Sequence, residues 1–158
     1  MTLRERVARA LAFFEDCDDP SLLHRVLEES APRARKMVAG YLARGAEDAI
    51  PGPAELRGAR DRASEEEAVK TLREVSDFPL FQVLTRAIGQ RIEAIEIVAS
   101  ADFPEGARVV VPEKASYPRS GRDVPGTVEE TGTHLRIRLD NGETWSGPAS
   151  LARLGGGS

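Results

Sequence analysis

The sequence predicts an α+β protein: an N-terminal bundle of about five helices, residues 1–101, followed by a small five-stranded antiparallel barrel, residues 102–154. In the first part, apolar residues recur every three or four positions, as they do along one face of an amphipathic helix. From Phe103 onwards, proline and glycine become frequent, β-branched residues cluster and the apolar period falls to two. This change predicts a domain boundary near Ala101.

Two helices are predicted at the start of the chain from their N-terminal signals. Thr2 and Glu5 have the spacing of a capping box. Asp19 followed by Pro20 suits the N-cap and first position of a second helix. The apolar stripes of these two helices comprise Leu3, Val7, Leu11, Phe14, Leu22, Leu23, Val26 and Leu27.

A third helix is predicted to begin after Ser30, because Pro32 suits the first turn of a new helix. Gly45 is predicted to end it. Residues 45–63 are rich in proline and glycine, and we predict a loop there with at most a short helical turn. The stripe of the third helix comprises Ala34, Met37, Val38 and Tyr41.

Two more helices are predicted before the boundary. Ser64 and Glu67 have the spacing of a second capping box, and Asp77 with Pro79 marks the start of the last helix. Apolar and charged side chains alternate along residues 93–99, a pattern that would also suit a strand. We predict that the helix continues through these residues. The stripe of the last helix comprises Leu80, Leu84, Ile88, Ile92 and Ile95.

The C-terminal part is predicted to hold four strands and a terminal turn or short last strand. A long polar loop, residues 112–123, follows the first strand. Asn141-Gly142 predicts a two-residue hairpin of type I′, because that turn needs a positive φ at both central positions. The sequence Gly-Gly-Gly-Ser at residues 155–158 predicts a linker tail. The strands are predicted at residues 107–111, 127–129, 134–139 and 143–146, and the last element at 148–154.

The two turns of this part predict which side chains share a face of the sheet. With a two-residue hairpin, Arg138 lies opposite Trp145; with a turn at residues 130–133, Val128 lies opposite Leu135. Both registers predict one core face and one outer face. The core face carries Val128, Leu135, Ile137 and Leu139, and the outer face carries His134, Arg136, Arg138 and Trp145.

The run GRDVPGTVEETGTHLRIRLDNGETWSGPASL, residues 121–151, resembles an SH3-like barrel of the Tudor/KOW kind. The shared features are a long first loop, a Gly-x-Val strand at Gly126 and Val128, an alternating strand that ends in Asp-Asn-Gly, and a short aromatic-bearing strand. The Gly-Arg-Asp at 121–123 resembles a KOW motif without its usual lysines. The resemblance implies a module that binds RNA, methylated ligands or peptides, or acts as a scaffold.

Residue types that carry chemistry are sparse and scattered. Cys17 lies in an acidic run, which disfavours its thiolate and hence a nucleophile. His24 and His134 are far apart and show no metal-ligand spacing. No glycine-rich loop connects a strand to a helix, so no phosphate cradle is predicted. We therefore predict no enzyme, no metal site and no cofactor.

The charge balance of the chain is acidic. Of the net charge of −4, residues 1–101 carry −3 from 18 acidic and 15 basic residues, and residues 102–154 carry −1 from 8 and 7. Neither part has the basic excess typical of nucleic-acid binding. No stretch is long and apolar enough to span a membrane, and the single cysteine suits a reducing compartment, so we predict a cytoplasmic protein.

These observations predict an adaptor or accessory subunit, with a protein partner on the helices and a second contact surface on the barrel. Trp145 either covers its own surface, packs on the helices or anchors a partner. The predicted partner-binding residues are Trp145, Arg138, Arg136, His134, Tyr117 and Arg122. Two alternatives stay open: a small enzyme subunit, or a KOW-like nucleic-acid or ribosome-associated factor that uses Lys114, Arg119, Arg122, Arg136 and Arg138.

Overall fold

The computed structural model describes residues 1–43 and 61–155. Most of the predicted loop at 45–63 and the last three residues of the predicted tail lie outside the described residues. The chain divides into two compact units, Met1–Arg91 and Ile92–Ser158. Among the residues that the structure describes, no helix combines the length and the apolar character that crossing a bilayer requires.

The described residues form four α-helices: α1 (Leu3–Glu15), α2 (Pro20–Ala43), α3 (Glu65–Glu74) and α4 (Phe78–Ser100). The α+β class is confirmed, and the prediction of about five helices is wrong. The predicted second and third helices are one continuous helix, α2, with Pro32 in its interior. Next to this proline, the Arg33 guanidinium donates to the Leu72 and Val75 carbonyl oxygens, and these bonds fasten this part of α2 to the end of α3.

The predicted helix starts are confirmed by their capping hydrogen bonds. Thr2 Oγ1 accepts from the Glu5 N–H at 3.1 Å, and Ser64 Oγ accepts from the Glu67 N–H at 3.2 Å. In the same way, Asp19 and Asp77 accept from the N–H groups three residues on, both at 3.2 Å. Each cap satisfies a backbone donor that the helix itself leaves unbonded.

The helical unit buries much of the apolar stripes that the sequence predicts, whereas Leu3 and Val38 are exposed and the rest of the predicted third stripe is half-buried. Helices α1, α3 and α4 contribute most of the side chains that have almost no exposed surface, and α2 adds its first two turns. The largest of these buried side chains are Phe14, Phe81, Leu11, Leu23, Leu72, Leu84, Ile88 and Val7.

Helix α4 contributes residues to both units. It remains helical through residues 93–99, so the prediction of helix over strand at those positions is confirmed. The division between the units falls at Arg91 and Ile92, whereas the change in sequence pattern predicts a boundary near Ala101. The last turns of α4 are therefore part of the sheet unit.

The sheet unit contains five antiparallel strands: β1 (Arg108–Pro112), β2 (Asp123–Glu130), β3 (His134–Leu139), β4 (Thr144–Pro148) and β5 (Arg153–Leu154). Their order in the sheet is β4-β3-β2-β1-β5. The prediction of a barrel is wrong in one respect, because no pairing in the described residues joins β4 to β5 and the sheet stays open. A short 3₁₀ helix, Ala149–Leu151, connects these two strands.

The hairpin between β3 and β4 has a three-residue loop, so the predicted two-residue turn is wrong. The Leu139 N–H donates to the Glu143 carbonyl oxygen at 2.8 Å, and the Gly142 N–H donates back to the Leu139 oxygen at 2.9 Å. Only Gly142 has a positive φ, at 92°. A type I′ turn would need a second such residue at Asn141, whereas a three-residue loop needs only one.

Between Gly126 and Val128, the β2–β3 register is two residues away from the predicted one, and a bulge lies between Val128 and Glu130. Val128 pairs with Ile137 instead of Leu135. A shift of two residues leaves every side chain on the same face. The predicted core face is therefore confirmed, and Val128, Leu135, Ile137 and Leu139 are all buried.

Candidate functional site

The outer face of the sheet presents three of the predicted site residues. His134, Arg136 and Arg138 alternate along β3 and are all exposed. The Arg138 side chain is the most open of the arginines here, with 72% of its surface exposed. The structure thus places these three residues on one solvent-facing strand surface, as the alternation predicts.

Carboxylates neutralise the arginines of this face. Glu129 accepts from Arg138 at 2.7 Å and lies 3.3 Å from Arg136, which also reaches Glu130 at 3.3 Å. Beside them, Arg108 donates two 2.7 Å hydrogen bonds to Asp140, which lower the pKa of that carboxyl. Three guanidinium groups thus face three carboxylates, and the face carries no excess positive charge.

Trp145 does not belong to this face, and its predicted position is wrong. It pairs with Ile137 instead of Arg138, so its ring points to the core face of the sheet. Only 4% of its surface is exposed, and its indole N–H donates to the Pro112 carbonyl oxygen at 2.9 Å. The extra residue in the hairpin loop is the cause, because a register change by one residue reverses the face of a side chain.

The remaining predicted residues lie in the long loop between β1 and β2. Tyr117 packs against the sheet core, and its hydroxyl lies 2.6 Å from Ser150 Oγ. Arg119 is held by the Leu151 carbonyl oxygen and by Asp123. Arg122 and Lys114 are exposed. Tyr117 and Arg119 therefore anchor the loop, and they do not extend the exposed surface of β3.

A groove in the helical unit is the concave surface best suited to a ligand of some size. It encloses about 420 Å³ beside α2 and the first turns of α4. Small or partly buried side chains form its floor, and two arginines stand at its rim. The groove is lined by Leu27, Ser30, Ala31, Ala34, Arg35, Gln82, Thr85 and Arg86.

The two rim arginines differ from other arginines of the helical unit. Arg6 reaches Glu74 at 2.7 Å, and Arg73 reaches Glu29 at 2.8 Å. Arg35 and Arg86 are exposed and form no ion pair within residues 1–43 and 61–155. An apolar groove in an acidic protein is thus bordered by two guanidinium groups that no described carboxylate neutralises.

Comparisons with known proteins give no relative for this chain. No protein-family model matches it, and neither the curated proteins nor the solved structures contain a match. The function is therefore argued from the side chains and surfaces of the described residues.

A buried carboxylate in the sheet unit was not among the residues predicted from the sequence. Glu96, on the last turns of α4, is 2% exposed. Its Oε2 accepts from the Ser150 N–H at 2.6 Å, and its Oε1 accepts from the Ser150 hydroxyl, which also contacts Tyr117. These bonds connect the 3₁₀ helix to α4. In the sequence, the one feature that could have pointed to Glu96 is a charged residue within an apolar stretch.

The candidates for other chemistry give no assembled site. Cys17 is buried, and desolvation raises the pKa of its thiol, while the nearby carboxylates raise it further. His24 and His134 belong to different units. Within the part of the chain that the structure describes, no group of three metal-ligating side chains comes together.

Proposed function

We propose that the protein is a non-enzymatic interaction protein whose helical unit docks a helix from a protein partner. The observation that carries this proposal is the groove of about 420 Å³ beside α2, with its largely apolar lining and its two exposed arginines, which form no ion pair with any described residue. The sheet unit supplies a second contact surface in this proposal. Its meander of four strands, with β5 beside β1, and its long first loop support an SH3-like module.

The floor of the groove suits a helix because its side chains are small and regularly spaced. Leu27, Ala31 and Ala34 follow one another at intervals of four and three residues along α2. This is the spacing of a helix seam, and alanine allows a second backbone to approach closely. Val38 and Leu42, 37% and 69% exposed, extend the apolar stripe beyond the groove.

The rim of the groove selects the charge of the partner. Arg35 and Arg86 are exposed guanidinium groups on α2 and α4, and each can bind a carboxylate through two parallel hydrogen bonds. Complementary charge at an interface rim raises the association rate and disfavours partners of the wrong sign. The partner helix is therefore amphipathic, with an apolar face and acidic residues along both sides.

Nucleic-acid binding by the sheet has less support. Arg136 and Arg138 are engaged by Glu129, and the outer face as a whole is balanced in charge. Affinity for a phosphate backbone comes largely from counterions released by unpaired cations. The exposed cations of the loop between β1 and β2 are Lys114 and Arg122. Two cations are few for an interface with a nucleic acid.

A pair of synthetic helices tests the proposal on the full-length protein. Both peptides carry leucine at heptad positions; one is flanked by glutamate and the other by lysine. We expect the acidic peptide to bind at least about 10-fold more tightly at low salt, because one rim ion pair contributes on the order of 1 kcal/mol. In the double variant Arg35→Ser/Arg86→Ser, this preference should disappear.

Two variants on α2 separate groove binding from general stickiness. Ala34→Glu places a charge on the floor of the groove, whereas Ala39→Glu places the same charge on an exposed position of the same helix. Binding that is lost only with Ala34→Glu supports the proposal. Equal binding of both peptides, or equal loss with both variants, would contradict it.

A further inference from the structure

A second concave site lies between α1 and α3, away from the groove residues. Its volume is about 320 Å³, which is in the range of small-molecule sites in proteins. Charged side chains from both helices line most of it. The complete lining is Met1, Arg6, Arg9, Ala63, Glu67, Lys70, Thr71 and Glu74.

The cavity has an excess of positive charge. Arg6 and Arg9 are one turn apart on α1, and Lys70 joins them from α3. Two carboxylates oppose these three cations. Both lie on α3, and the pKa of Glu74 is lowered by its hydrogen bond to Arg6, so this carboxylate stays ionised at neutral pH. One positive charge remains uncompensated in a chain whose net charge is −4.

Two of the three cations are held loosely. Arg9 Nη2 lies 3.2 Å from Glu67, and Lys70 Nζ lies 3.9 Å from Glu74, whereas Arg6 binds Glu74 at 2.7 Å. The contacts of Arg9 and Lys70 are longer than a good charged hydrogen bond. Both side chains can therefore turn to an anion in the cavity without breaking a tight ion pair.

Arg9 also has a donor without an acceptor. Its Nε atom is buried, and no atom of the described residues accepts a hydrogen bond from it. A buried N–H group is normally bonded, and one that is not indicates a missing water, ion or ligand. Nε and one terminal nitrogen of a guanidinium together form a fork that fits two oxygens of one anion.

We propose that this cavity binds the phosphate group of a small phosphate monoester. A phosphate has enough oxygens to accept from Arg9 through its fork and from Lys70 and Arg6 at the same time. It supplies the acceptor that Arg9 Nε lacks, and it replaces the two long contacts by short ones. The volume beyond the phosphate accommodates a small organic group.

Calorimetric titration of the full-length protein tests this site with two probes, inorganic phosphate and glycerol 3-phosphate, against chloride at matched ionic strength. We expect saturable binding of at least one probe. Tighter binding of glycerol 3-phosphate identifies a phosphate ester as the ligand. Tighter binding of inorganic phosphate would overturn the proposal of an ester and identify the cavity as a site for free phosphate. Arg9→Gln and Lys70→Gln should each weaken binding at least about 10-fold, the loss expected for one charged hydrogen bond.

Two further variants keep the test decisive. Arg9→Lys retains the charge and removes the Nε donor, so it should also weaken binding if Arg9→Gln proves too unstable to measure. Arg25→Gln, at an exposed position of α2 outside the lining of both the cavity and the groove, should leave the affinity unchanged. No saturable binding of either probe, or the same affinity in Arg9→Gln, Arg9→Lys and Lys70→Gln as in the parent protein, would overturn the site.

Discussion

Arg33, on α2, contacts both the end of α3 and helix α4. Its guanidinium donates to the Leu72 and Val75 carbonyl oxygens at 2.8 and 2.5 Å and lies 5.2 Å from the centre of the Phe81 ring. We expect Arg33→Met to lower the free energy of unfolding by about 2 kcal/mol, since charged hydrogen bonds contribute about 1.5–3 kcal/mol each when lost. Urea denaturation measures this.

Arg35 provides the matched control two residues away. It is exposed and makes no ion pair in the described part of the chain, so Arg35→Met should change stability by less than about 0.5 kcal/mol. Equal losses in the two variants would mean that the contacts of Arg33 contribute nothing specific.

Trp145 is a core residue, and its truncation should show this. Trp145→Ala removes a large buried ring and the hydrogen bond to Pro112, and we expect a loss of about 3–5 kcal/mol in stability. Arg138→Ala, on the outer face, should cost less than about 1 kcal/mol. Thermal unfolding followed by circular dichroism compares the two variants, because Trp145 is the only tryptophan of the chain and Trp145→Ala removes the fluorescence signal. A mild effect of Trp145→Ala would instead support the predicted outer position.

The thiol of Cys17 should be slow to react. Burial raises its pKa, so at pH 8 the thiolate fraction is smaller than that of a free cysteine, and it rises only as the pH approaches the raised pKa. We expect a disulfide reagent to label Cys17 far more slowly in the native protein than in urea at the same pH. Equal rates in both conditions would show that the thiol is accessible.

At the scale of elements, the loop between β3 and β4 depends on one glycine. Gly142 has a φ of 92°, and a Cβ atom added to it would meet no other atom within 4 Å. A side chain there would therefore lower stability only through the unfavourable backbone conformation. We expect Gly142→Ala to destabilise the sheet unit by about 1–2 kcal/mol. Gly132→Ala, in the preceding turn and without a positive φ, is the control, and equal melting temperatures of the two variants would contradict this account.

Most elements could be predicted from the sequence, because caps and apolar periods are local signals. Thr2, Ser64 and Asp77 mark helix starts that the structure confirms. The number of helices could not be predicted, since Pro32 is a local signal for a helix start, whereas the bonds from Arg33 to the end of α3 join residues about 40 positions apart. Local patterns do not contain such long-range contacts.

The candidate site was predicted less well, and for a related reason. The alternation of β3 correctly placed His134, Arg136 and Arg138 outside, but Asp-Asn-Gly suits loops of two and of three residues equally, and this choice decided the face of Trp145. The groove needs α2 and α4 to be side by side. The sequence around the two rim arginines gives no sign that they border a groove. The bond between Glu96 and Ser150 is equally invisible in the local sequence, because these residues are 54 positions apart.

At the scale of the molecule, Glu96 predicts where the sheet unit begins. A fragment of residues 92–158 retains Glu96 and Ala99, which contact the 3₁₀ helix and the sheet core, whereas a fragment of residues 102–158 loses both. We expect cooperative melting of the longer fragment and a lower, broader transition of the shorter one. If Glu96→Ala in the longer fragment has no effect on its melting temperature, the buried carboxylate is not what defines the unit.

The three-residue loop of the β3–β4 hairpin also limits how this chain can evolve. Substitutions at Asp140 or Asn141 alter exposed side chains and leave the register intact. Deleting one loop residue would instead shift the register by one, turning Trp145 towards solvent and its polar neighbours towards the core. Apart from Gly142, which needs its positive φ, the loop therefore tolerates changes of identity but resists changes of length. Lineages of this protein should accumulate point mutations at Asp140 and Asn141 and lose insertions and deletions to selection.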